Sequence, residues 1–360
     1  MTNLLLRKVG KSFGAFEALK GLDLEVVSGE LVALLGPSGC GKTTTLRLIS
    51  GLEMPTEGQV LFDSRDMSGV EVQQRNVGMV FQRYVLFPHM SVERNVSFGL
   101  RVRGTPRDEI EQRVSEILKV VQLEEFRFRF PSQLSGGQMQ RVAIARTLIT
   151  NPSVLMMDEP LANLDTKLRG EMRTFIRSLQ RRLKITTVFV THDQVEAMEL
   201  ADRVAVMFSG RIAQYAAPQT IYHRPASVEV ARFIGAPNLM EAKVVRNGGA
   251  TAISTGFGTL EVGDVHDHAD GASVTAMIRP EAVIVGPDEG AEAANVRRGR
   301  IAKVDFFGQA ITYEIEIDGA ILRADEMSNR QLKVDDPVQV RLERERIWVF
   351  PGGGHHGMQA

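Results

Sequence analysis

A glycine-rich loop lies between a strand pattern and a helix pattern early in the sequence. Residues 36–43 read Gly-Pro-Ser-Gly-Cys-Gly-Lys-Thr. Residues 31–35 before the loop are an unbroken apolar run, as in a buried parallel strand, and residues 42–49 after it have a helical pattern. This order of strand, loop and helix is the context in which such a loop binds phosphate. The segment predicts a phosphate-binding loop, and a glycine turn that binds nothing is the alternative.

The residue types of the loop suit a nucleotide triphosphate with Mg²⁺. Glycines let backbone N–H groups turn towards a β-phosphate, and the helix N-terminus adds partial positive charge. We expect Lys42 to reach the β- and γ-phosphates and Thr43 to offer its hydroxyl to Mg²⁺. Cys40, near that N-terminus, leads to the hypothesis of a lowered thiol pKa and of a site blocked by alkylation; the alternative is a small residue that the loop tolerates. The predicted phosphate-binding residues are Gly36, Pro37, Ser38, Gly39, Cys40, Gly41, Lys42, Thr43 and Thr44.

Two adjacent acids follow a second apolar run. Residues 154–157 are apolar, and Asp158 and Glu159 come directly after them. An acid at the end of such a strand belongs beside the Mg²⁺, and the next residue is then placed to polarise the attacking water. Two such acids are by themselves usually just solvated, so the functional interpretation depends on the phosphate loop. Together the two motifs predict Asp158 as a metal ligand and Glu159 as a general base.

Composition restricts the class of protein. Hydrophobic residues make up 43% and charged residues 24% of the 360 residues, which is typical of a globular protein with two or three domains. The 43 basic and 44 acidic side chains give a formal net charge of −1, which excludes an overall positive field for nucleic acid. Cys40 is the only cysteine, which excludes an internal disulfide, and no window reaches the roughly 18 apolar residues of a membrane helix. We expect a cytoplasmic protein that is neither secreted nor integral to a membrane.

The chain is predicted to contain two domains of different class. Strand and helix patterns alternate over the first two thirds of the sequence, which indicates an α/β domain with a parallel sheet. Near residue 236 this pattern changes to short strands separated by glycine and aspartate clusters, which favours a small antiparallel β domain. The predicted division is an α/β domain over residues 1–235 and an all-β domain over residues 236–351.

Two patterns of half-buried strands are the basis for the predicted all-β domain. Apolar and polar residues alternate over residues 311–318 and again over residues 338–343, with the period of two that a strand requires. Residues 352–360 are predicted to be a flexible tail. A metal role for His355 and His356 in that tail is the alternative to a solvated terminus.

A third motif indicates the family that the first domain resembles. Residues 134–138 read Leu-Ser-Gly-Gly-Gln, and Gln140 and Arg141 follow at the start of a helical pattern. As a lone pentapeptide, this motif would be a turn that caps the next helix. Together with the phosphate loop and the Leu-Met-Met-Asp-Glu-Pro of residues 155–160, it resembles the ATP-binding cassette (ABC) ATPase family over residues 3–235. The resemblance implies an α/β P-loop NTPase fold, ATP and Mg²⁺ as cofactors, and ATP hydrolysis.

The resemblance also implies roles for single residues. Phe13 matches the aromatic that stacks on adenine, Gln82 the glutamine that senses Mg²⁺ and water, and His192 the histidine that contacts the γ-phosphate. The alternatives are a core phenylalanine, a surface glutamine and a structural histidine at a strand end. Asp165 and Asn163 belong to the segment that crosses to the partner subunit. At the position of Asn163, relatives often carry alanine or serine. The implied catalytic residues are Glu159, His192, Gln82 and Lys42, and the implied metal ligands are Thr43, Gln82 and Asp158.

In this family two cassettes face each other head to tail. Each ATP is held by the phosphate loop of one chain and the signature residues of the other. A chain with one cassette is therefore expected to form a symmetric homodimer. The nucleotide-binding residues implied at this interface are Ser135, Gly136, Gly137, Gln138 and Asp165.

A segment after Gln82 predicts a protein partner. Residues 83–90 contain several large apolar side chains in a stretch otherwise suited to a surface loop, and exposed patches of this kind commonly accept a partner. In the resembling importers this segment receives a short helix of the membrane permease. Core packing of Leu86 and Phe87 is the alternative. An extracytoplasmic solute-binding protein is implied as an indirect partner.

The last third of the chain distinguishes among classes of ABC protein. Residues 276–281 and 298–308 resemble the small OB-like (TOBE-like) regulatory domain of importer ATPases. Such a barrel could bind nucleic acid, but the sequence lacks the interleaved basic and aromatic residues needed to stack on single strands. We therefore expect a role in dimer support and regulation, with no nucleic-acid partner.

Two functions from different classes remain open. The first is the energy-coupling ATPase of a multisubunit importer, peripheral to the cytoplasmic face of the inner membrane. The second is a soluble ABC ATPase that acts on DNA, RNA or ribosomes. The net charge, the single cassette and the OB-like last third of the chain favour the importer ATPase. The resembling importers carry polyamine, ferric iron, sulfate or sugar. The OB-like last third of the chain favours the first three solutes over sugar.

Overall fold

The computed structural model describes residues 2–247, 250–288, 293–327 and 332–351. The predicted tail at residues 352–360, with His355 and His356, lies outside these ranges. The chain divides into two compact units, Met1–Pro218 and Gln219–Ala360. None of the helices in the described ranges combines the length and hydropathy that a membrane-crossing helix requires.

The first unit contains two sheets and six helices within the described ranges. Its strands are β1 (Leu4–Phe13), β2 (Phe16–Val26), β3 (Leu31–Leu35), β4 (Glu57–Phe62), β5 (Arg65–Asp66), β6 (Val77–Val80), β7 (Val154–Asp158), β8 (Thr186–Thr191), β9 (Arg203–Phe208) and β10 (Arg211–Ala216). Its helices are α1 (Lys42–Ser50), α2 (Val92–Val102), α3 (Arg107–Val120), α4 (Gly136–Leu148), α5 (Thr166–Leu183) and α6 (Gln194–Leu200).

The central sheet of this unit has six strands in the order β10-β9-β3-β8-β7-β6. Strand β3 pairs in parallel with β8 and β9, and β7 pairs in parallel with β8 and β6. All residues of β3 and β8 are buried, as expected for strands covered on both faces. The parallel order places the carboxyl ends of β3, β7 and β8 at one edge of the sheet, so the segments that follow these strands converge there. The predicted α/β class is confirmed.

A second, four-stranded antiparallel sheet in the order β2-β1-β4-β5 was not predicted. The pairing of β1 with β2 shifts register at three points. The period of two is regular only over Leu22, Leu24 and Val26, which are buried and alternate with exposed Asp23 and Glu25. The apolar residues of this sheet pack with those of the parallel sheet in one core that includes Leu4, Leu24, Leu34 and Val188.

The second unit is mainly antiparallel β structure. Its elements are α7 (Pro218–His223, which begins at the division), α8 (Val228–Ile234), β11 (Asn238–Asn247), β12 (Ala250–Thr255), β13 (Gly258–Glu261), β14 (Ser273–Ile278), β15 (Val283–Pro287), β16 (Val296–Phe306), β17 (Ile311–Ile317), β18 (Ala320–Glu326), β19 (Pro337–Leu342) and β20 (Trp348–Val349). They form two five-stranded sheets, β13-β12-β11-β14-β20 and β15-β19-β16-β17-β18, with a shared core around Tyr313 and Ile253. The strands predicted over residues 311–318 and 338–343 are present as β17 and β19.

The two short helices α7 and α8 belong to the second unit because its side chains hold them. Arg279, which follows β14, donates to the carbonyl of Tyr222 at 2.9 Å and to that of Ala231 at 3.2 Å. The indole of Trp348 donates to the carbonyl of Pro225 at 3.0 Å. The predicted boundary at residue 235 coincides with the change from helix to strand, whereas the division by contacts lies earlier, after Pro218.

Candidate nucleotide site

The glycine-rich loop joins β3 to α1 with a backbone that requires glycine. Gly39 and Gly41 have φ angles of 80° and 107°, in the region that L-residues with a side chain rarely adopt. A Cβ at Gly36 would lie 2.4 Å from the carbonyl oxygen of Met207 and 2.6 Å from the sulfur of Cys40. The loop is therefore a tight turn built against β9, and it leads directly into the N-terminus of α1.

Lys42 is buried inside this loop. Its Nζ donates to the carbonyl oxygens of Gly36 at 2.6 Å and Pro37 at 2.9 Å, and only 6% of the residue is exposed. A buried ammonium is costly unless it is paired or hydrogen-bonded. The loop carbonyls provide those bonds, so the cation is held at the helix N-terminus, where an anion is also favoured.

Thr43 and Asp158 meet as predicted for a metal site. The hydroxyl of Thr43 donates to Oδ1 of Asp158 at 3.4 Å. Burial raises the pKa of Asp158, and the adjacent charge of Glu159 raises it further, while the bond from Thr43 lowers it. A hydroxyl and a carboxylate are ligand types that Mg²⁺ prefers, and a carboxylate disfavoured as an anion gains from a cation. The donor set fits the predicted metal.

Asp158→Asn is expected to raise the thermal stability of the nucleotide-free protein. Because the pKa of Asp158 is raised in the folded state, its charge costs stability above that pKa, and the cost disappears as the pH falls through the folded pKa. We expect a gain in Tm on the order of 2–4 °C at neutral pH, shrinking towards acid pH. Scanning calorimetry of both proteins checks this result.

The same variant is expected to lose the stabilisation by MgATP that the wild-type protein gains, because one metal ligand is removed. Asp202→Asn is a control from the same domain, since the pKa of Asp202 is lowered in the folded state and its charge favours folding. A neutral pH Tm for Asp158→Asn below that of the wild type would contradict the interpretation.

Glu159 and His192 are brought together at the ends of neighbouring strands. Oε1 of Glu159 lies 3.1 Å from Nδ1 of His192, with the histidine side chain 60% and the glutamate side chain 24% exposed. Glu159 has a φ of 43°, which is unusual for a residue with a side chain, and its N–H donates to the carbonyl of Val190 at 3.0 Å. Such strain costs of order 1–3 kcal/mol and is concentrated at functional sites.

Phe13 and Gln82 are exposed. Phe13 ends β1 at 45% exposure, opposite Phe16 across the hairpin, and the Nζ of Lys11 lies 4.8 Å from its ring centroid. The alternative of a core phenylalanine is therefore wrong, and a free ring face for adenine stays a prediction. Gln82 follows β6, and its carbonyl accepts a hydrogen bond from Nδ2 of Asn163 at 2.8 Å. The sequence did not predict this contact, because the acceptor is a backbone carbonyl and leaves no residue type to pair with Asn163.

The signature residues form a helix cap. The hydroxyl of Ser135 accepts from the N–H of Gln138 at 3.3 Å, and Oε1 of Gln138 accepts from the N–H of Ser135 at 2.9 Å. This reciprocal capping box begins α4. Ser135, Gly137 and Gln138 line a cavity of about 230 Å³ together with Phe126 and Arg141. The helix cap given as the alternative is therefore present. It does not contradict a role of the same residues in binding nucleotide, which stays a prediction.

Asp165 has a local structural role. Its carboxylate caps α5 by accepting from the N–H of Leu168 at 3.0 Å. Gly136, the first residue of the signature helix α4, packs closely: a Cβ there would lie 3.1 Å from both Leu164 and the hydroxyl of Tyr84. The segment with Asp165, the signature helix and the segment after Gln82 therefore meet within one chain.

The hypothesis of a lowered thiol pKa at Cys40 is wrong, while a site blocked by alkylation stays a prediction. The residue is only 3% exposed, and burial raises the pKa of its thiol, against a smaller lowering by the charge of Lys42. The helix N-terminus considered in the sequence argument is outweighed by desolvation. The alternative, a small residue that the loop tolerates, agrees with its close packing against Gly36.

The segment of residues 83–90 is only partly exposed. Val85 is 57% exposed, but the ring of Phe87 packs on Phe98 with centroids 4.6 Å apart. Asn95, fully buried in α2, accepts from the N–H of Phe87 and donates to the carbonyls of Phe87, Met90 and Ser91. Leu86 and Phe87 are both half-buried, so the core alternative holds only in part. The exposed apolar residues here are Val85, within the segment, and Phe81, which precedes it.

Comparisons with known proteins agree with this geometry. Residues 19–162 match the family model described as ABC transporter, and residues 276–350 match that of the TOBE domain. The spermidine/putrescine import ATP-binding protein of Rubrobacter xylanophilus is 46% identical over 96% of this chain and 93% of its own length. The chain belongs to the ABC transporter family.

The other ABC relatives also extend over both units. The sulfate/thiosulfate import ATP-binding protein of Thermosynechococcus vestitus is 43% identical over 97% of this chain and 98% of its own. The Fe(3+) ions import ATP-binding protein of Agrobacterium fabrum is 42% identical over 93% and 94%. A solved structure, cbiO1 from Clostridium perfringens, part of the ABC transporter complex cbiONQ, matches 61% of this chain and 89% of its own with a TM-score of 0.58 and 34% identity.

These ABC relatives confirm several of the predictions. The first unit has the α/β P-loop NTPase fold and the second is the small all-β, OB-like domain. The chain is an ATP-hydrolysing, energy-coupling subunit of the import type. The roles of its single residues stay predictions.

Proposed function

We propose that this ABC protein binds ATP with Mg²⁺ on residues 36–44 and hydrolyses it with Glu159 as the general base. The proposal is carried by one observation: the phosphate loop, the Thr43–Asp158 pair and the Glu159–His192 pair all lie at the carboxyl edge of the parallel sheet. Ligands of open α/β sheets bind at this edge. Thr43 and Asp158 would hold the Mg²⁺, with Gln82 as a further ligand implied by the family.

The chain's own groups divide the work of hydrolysis. The loop N–H groups and Lys42 bind the phosphates and stabilise the charge that develops during phosphoryl transfer. Glu159 accepts the proton of the attacking water, and His192, at 3.1 Å from that carboxylate, orients it and contacts the γ-phosphate. Mg²⁺, held by Thr43 and Asp158, would supply positive charge that stabilises phosphoryl transfer. Phe13, which is 45% exposed, would stack on the adenine with the ring face that Lys11 leaves open.

The active form is proposed to be a head-to-tail homodimer. In that arrangement the first turn of α4, with Ser135, Gly136, Gly137 and Gln138, faces the ATP of the partner subunit, and the segment with Asp165 lies beside it. The N-terminus of α4 would add partial positive charge to the donors of that turn. Binding of ATP then favours the closed dimer, and hydrolysis removes the bridging γ-phosphate.

The partner in the membrane is proposed to be a permease, which receives energy from this chain at the cytoplasmic face of the inner membrane. Phe81 and Val85 supply exposed apolar area next to Gln82, and contact there would report directly to the metal site. A solute-binding protein outside the membrane would take part indirectly. The second unit is proposed to support the dimer and to regulate it.

The transported solute is proposed to be a small charged molecule of the kind carried by the relatives' systems. Those relatives are named for spermidine/putrescine, sulfate/thiosulfate and Fe(3+) ions at 46%, 43% and 42% identity, and others for sn-glycerol-3-phosphate. Their similar identities rank no solute above the rest.

Affinity purification of the tagged chain from detergent-solubilised membranes tests the proposed role. Mass spectrometry of the purified material is expected to identify one or two multispanning membrane proteins, and their genes' neighbours would indicate the solute. Recovery of ribosomes or nucleic acid without an integral membrane protein would support the alternative, a soluble ABC ATPase.

A further inference from the structure

The backbone after Gln82 is held by two side chains that the reaction itself does not use. Nδ2 of Asn163 donates to the carbonyl of Gln82 at 2.8 Å. The guanidinium of Arg146, in α4, donates to the carbonyl of Tyr84 at 3.3 Å and to that of Val85 at 2.8 Å. Three carbonyls in four residues are thus fixed by side chains from elsewhere in the fold.

The conformation held in this way is one that the segment would not adopt by itself. Val85 has a φ of 49°, and a β-branched residue in the left-handed region is a genuine outlier. Its side chain is 57% exposed, so packing around the side chain contributes little to holding it there. Arg146 is suited to hold this turn because its planar fork reaches two successive carbonyls at once.

The environment of Arg146 favours this interpretation over a general surface role. Its guanidinium lies 5.8 Å from the ring centroid of Phe87, and burial alone accounts for the lowered pKa of Arg146. A desolvated guanidinium needs hydrogen-bond acceptors. The carbonyls of the segment supply these acceptors. Loss of the contact would leave both the guanidinium and the carbonyls without these hydrogen bonds.

We propose that Asn163 and Arg146 are positioning residues for ATP hydrolysis, which act by holding the backbone of residues 82–85 so that the side chain of Gln82 reaches the metal and the attacking water. The inference rests on the proposed function of Gln82. Arg146 belongs to the signature helix α4, and Asn163 belongs to the segment with Asp165. Both elements would therefore influence the metal site of their own chain.

Variants that keep size but change donors test the proposal in the full-length protein. Asn163→Asp has the same shape but no N–H to give, and Arg146→Lys keeps the charge but not the fork. Each is expected to lower kcat for Mg²⁺-dependent ATP hydrolysis by roughly 10- to 100-fold, as for a misplaced catalytic group. The affinity for a fluorescent ATP analogue is expected to stay within about twofold, because the phosphate loop is untouched.

A matched control separates this role from stability. Arg103 donates to the carbonyl of Thr150 at 3.4 Å, outside the site, so Arg103→Lys is expected to leave kcat unchanged. Tm is measured for every variant, and kcat is expressed per folded molecule. Loss of kcat in proportion to loss of folded protein, with no separate effect on turnover, would overturn the proposal.

A double variant tests the route through Gln82. Gln82→Ala is expected to lower kcat, and adding Asn163→Asp to it is expected to cause little further loss, because both changes remove the same group from the site. Full additivity would overturn the positioning role while leaving the role of Gln82 intact. Normal kcat in Gln82→Ala would instead contradict the proposed function of Gln82, and with it this inference.

Discussion

Glu159→Gln is expected to slow ATP turnover by about 10²- to 10⁴-fold while ATP binding is retained, which is the contribution of a positioned general base. Glutamine has the same shape but cannot accept the proton of the attacking water. The carboxylate lies 3.1 Å from His192, and its N–H is tied to Val190, so the side chain is already held at the end of β7. Steady-state hydrolysis and binding of a fluorescent ATP analogue measure the two quantities separately.

Glu116→Gln serves as the control for this change. Glu116 is exposed on α3 and bonds the amide of Gln112 at 2.9 Å, away from the predicted site. Turnover of that variant is expected to equal the wild type. Near-normal turnover in Glu159→Gln would remove Glu159 from the mechanism, and a fall in ATP affinity equal to the fall in rate would make it a binding residue.

Lys42→Ala is expected to weaken ATP binding itself, by roughly 10- to 100-fold, because a hydrogen bond to a charged group contributes about 1.5–3 kcal/mol. The ammonium is held in the loop by the carbonyls of Gly36 and Pro37, so little of its freedom is lost when a phosphate arrives. Titration with the fluorescent analogue gives Kd directly.

The removal of a buried side chain also affects folding, so this variant needs two controls. Lys42→Met keeps the length of the side chain and is expected to bind ATP as weakly as Lys42→Ala, since the charge is what matters. Lys119→Ala, exposed in the last turn of α3, is expected to bind like the wild type. Wild-type affinity in Lys42→Met would contradict a direct contact with phosphate.

Much of the site could be predicted because its motifs follow strands that are short, apolar and parallel. Strands β3, β7 and β8 are fully or almost fully buried, so each contains a short apolar run: residues 31–35, 154–157 and 188–190. The functional residues follow these runs closely. Parallel strands bring their carboxyl ends to one edge, and the meeting of Thr43 with Asp158 and of Glu159 with His192 follows from that geometry.

The contacts that hold the segment after Gln82 could not be predicted in the same way. Asn163 and Arg146 act on backbone carbonyls, and a carbonyl acceptor leaves no residue type in the sequence to pair with. The thiol pKa of Cys40 was predicted in the wrong direction because the motif indicates a helix N-terminus but not the extent of burial. The antiparallel sheet of β1, β2 and β4 was missed because its register shifts confine the period of two to a short stretch, residues 22–26 of β2.

The capping box at Ser135 has a consequence for the donor strength of its hydroxyl. That oxygen already accepts the N–H of Gln138, while a serine hydroxyl still has one proton to give. An oxygen that accepts one hydrogen bond becomes a better donor of the next, since bonds in a chain polarise one another. The cap also removes the rotational freedom that the residue would otherwise lose on meeting an anion. The signature serine is thus prepared as a donor by the fold of its own helix, before a second chain or a nucleotide is present.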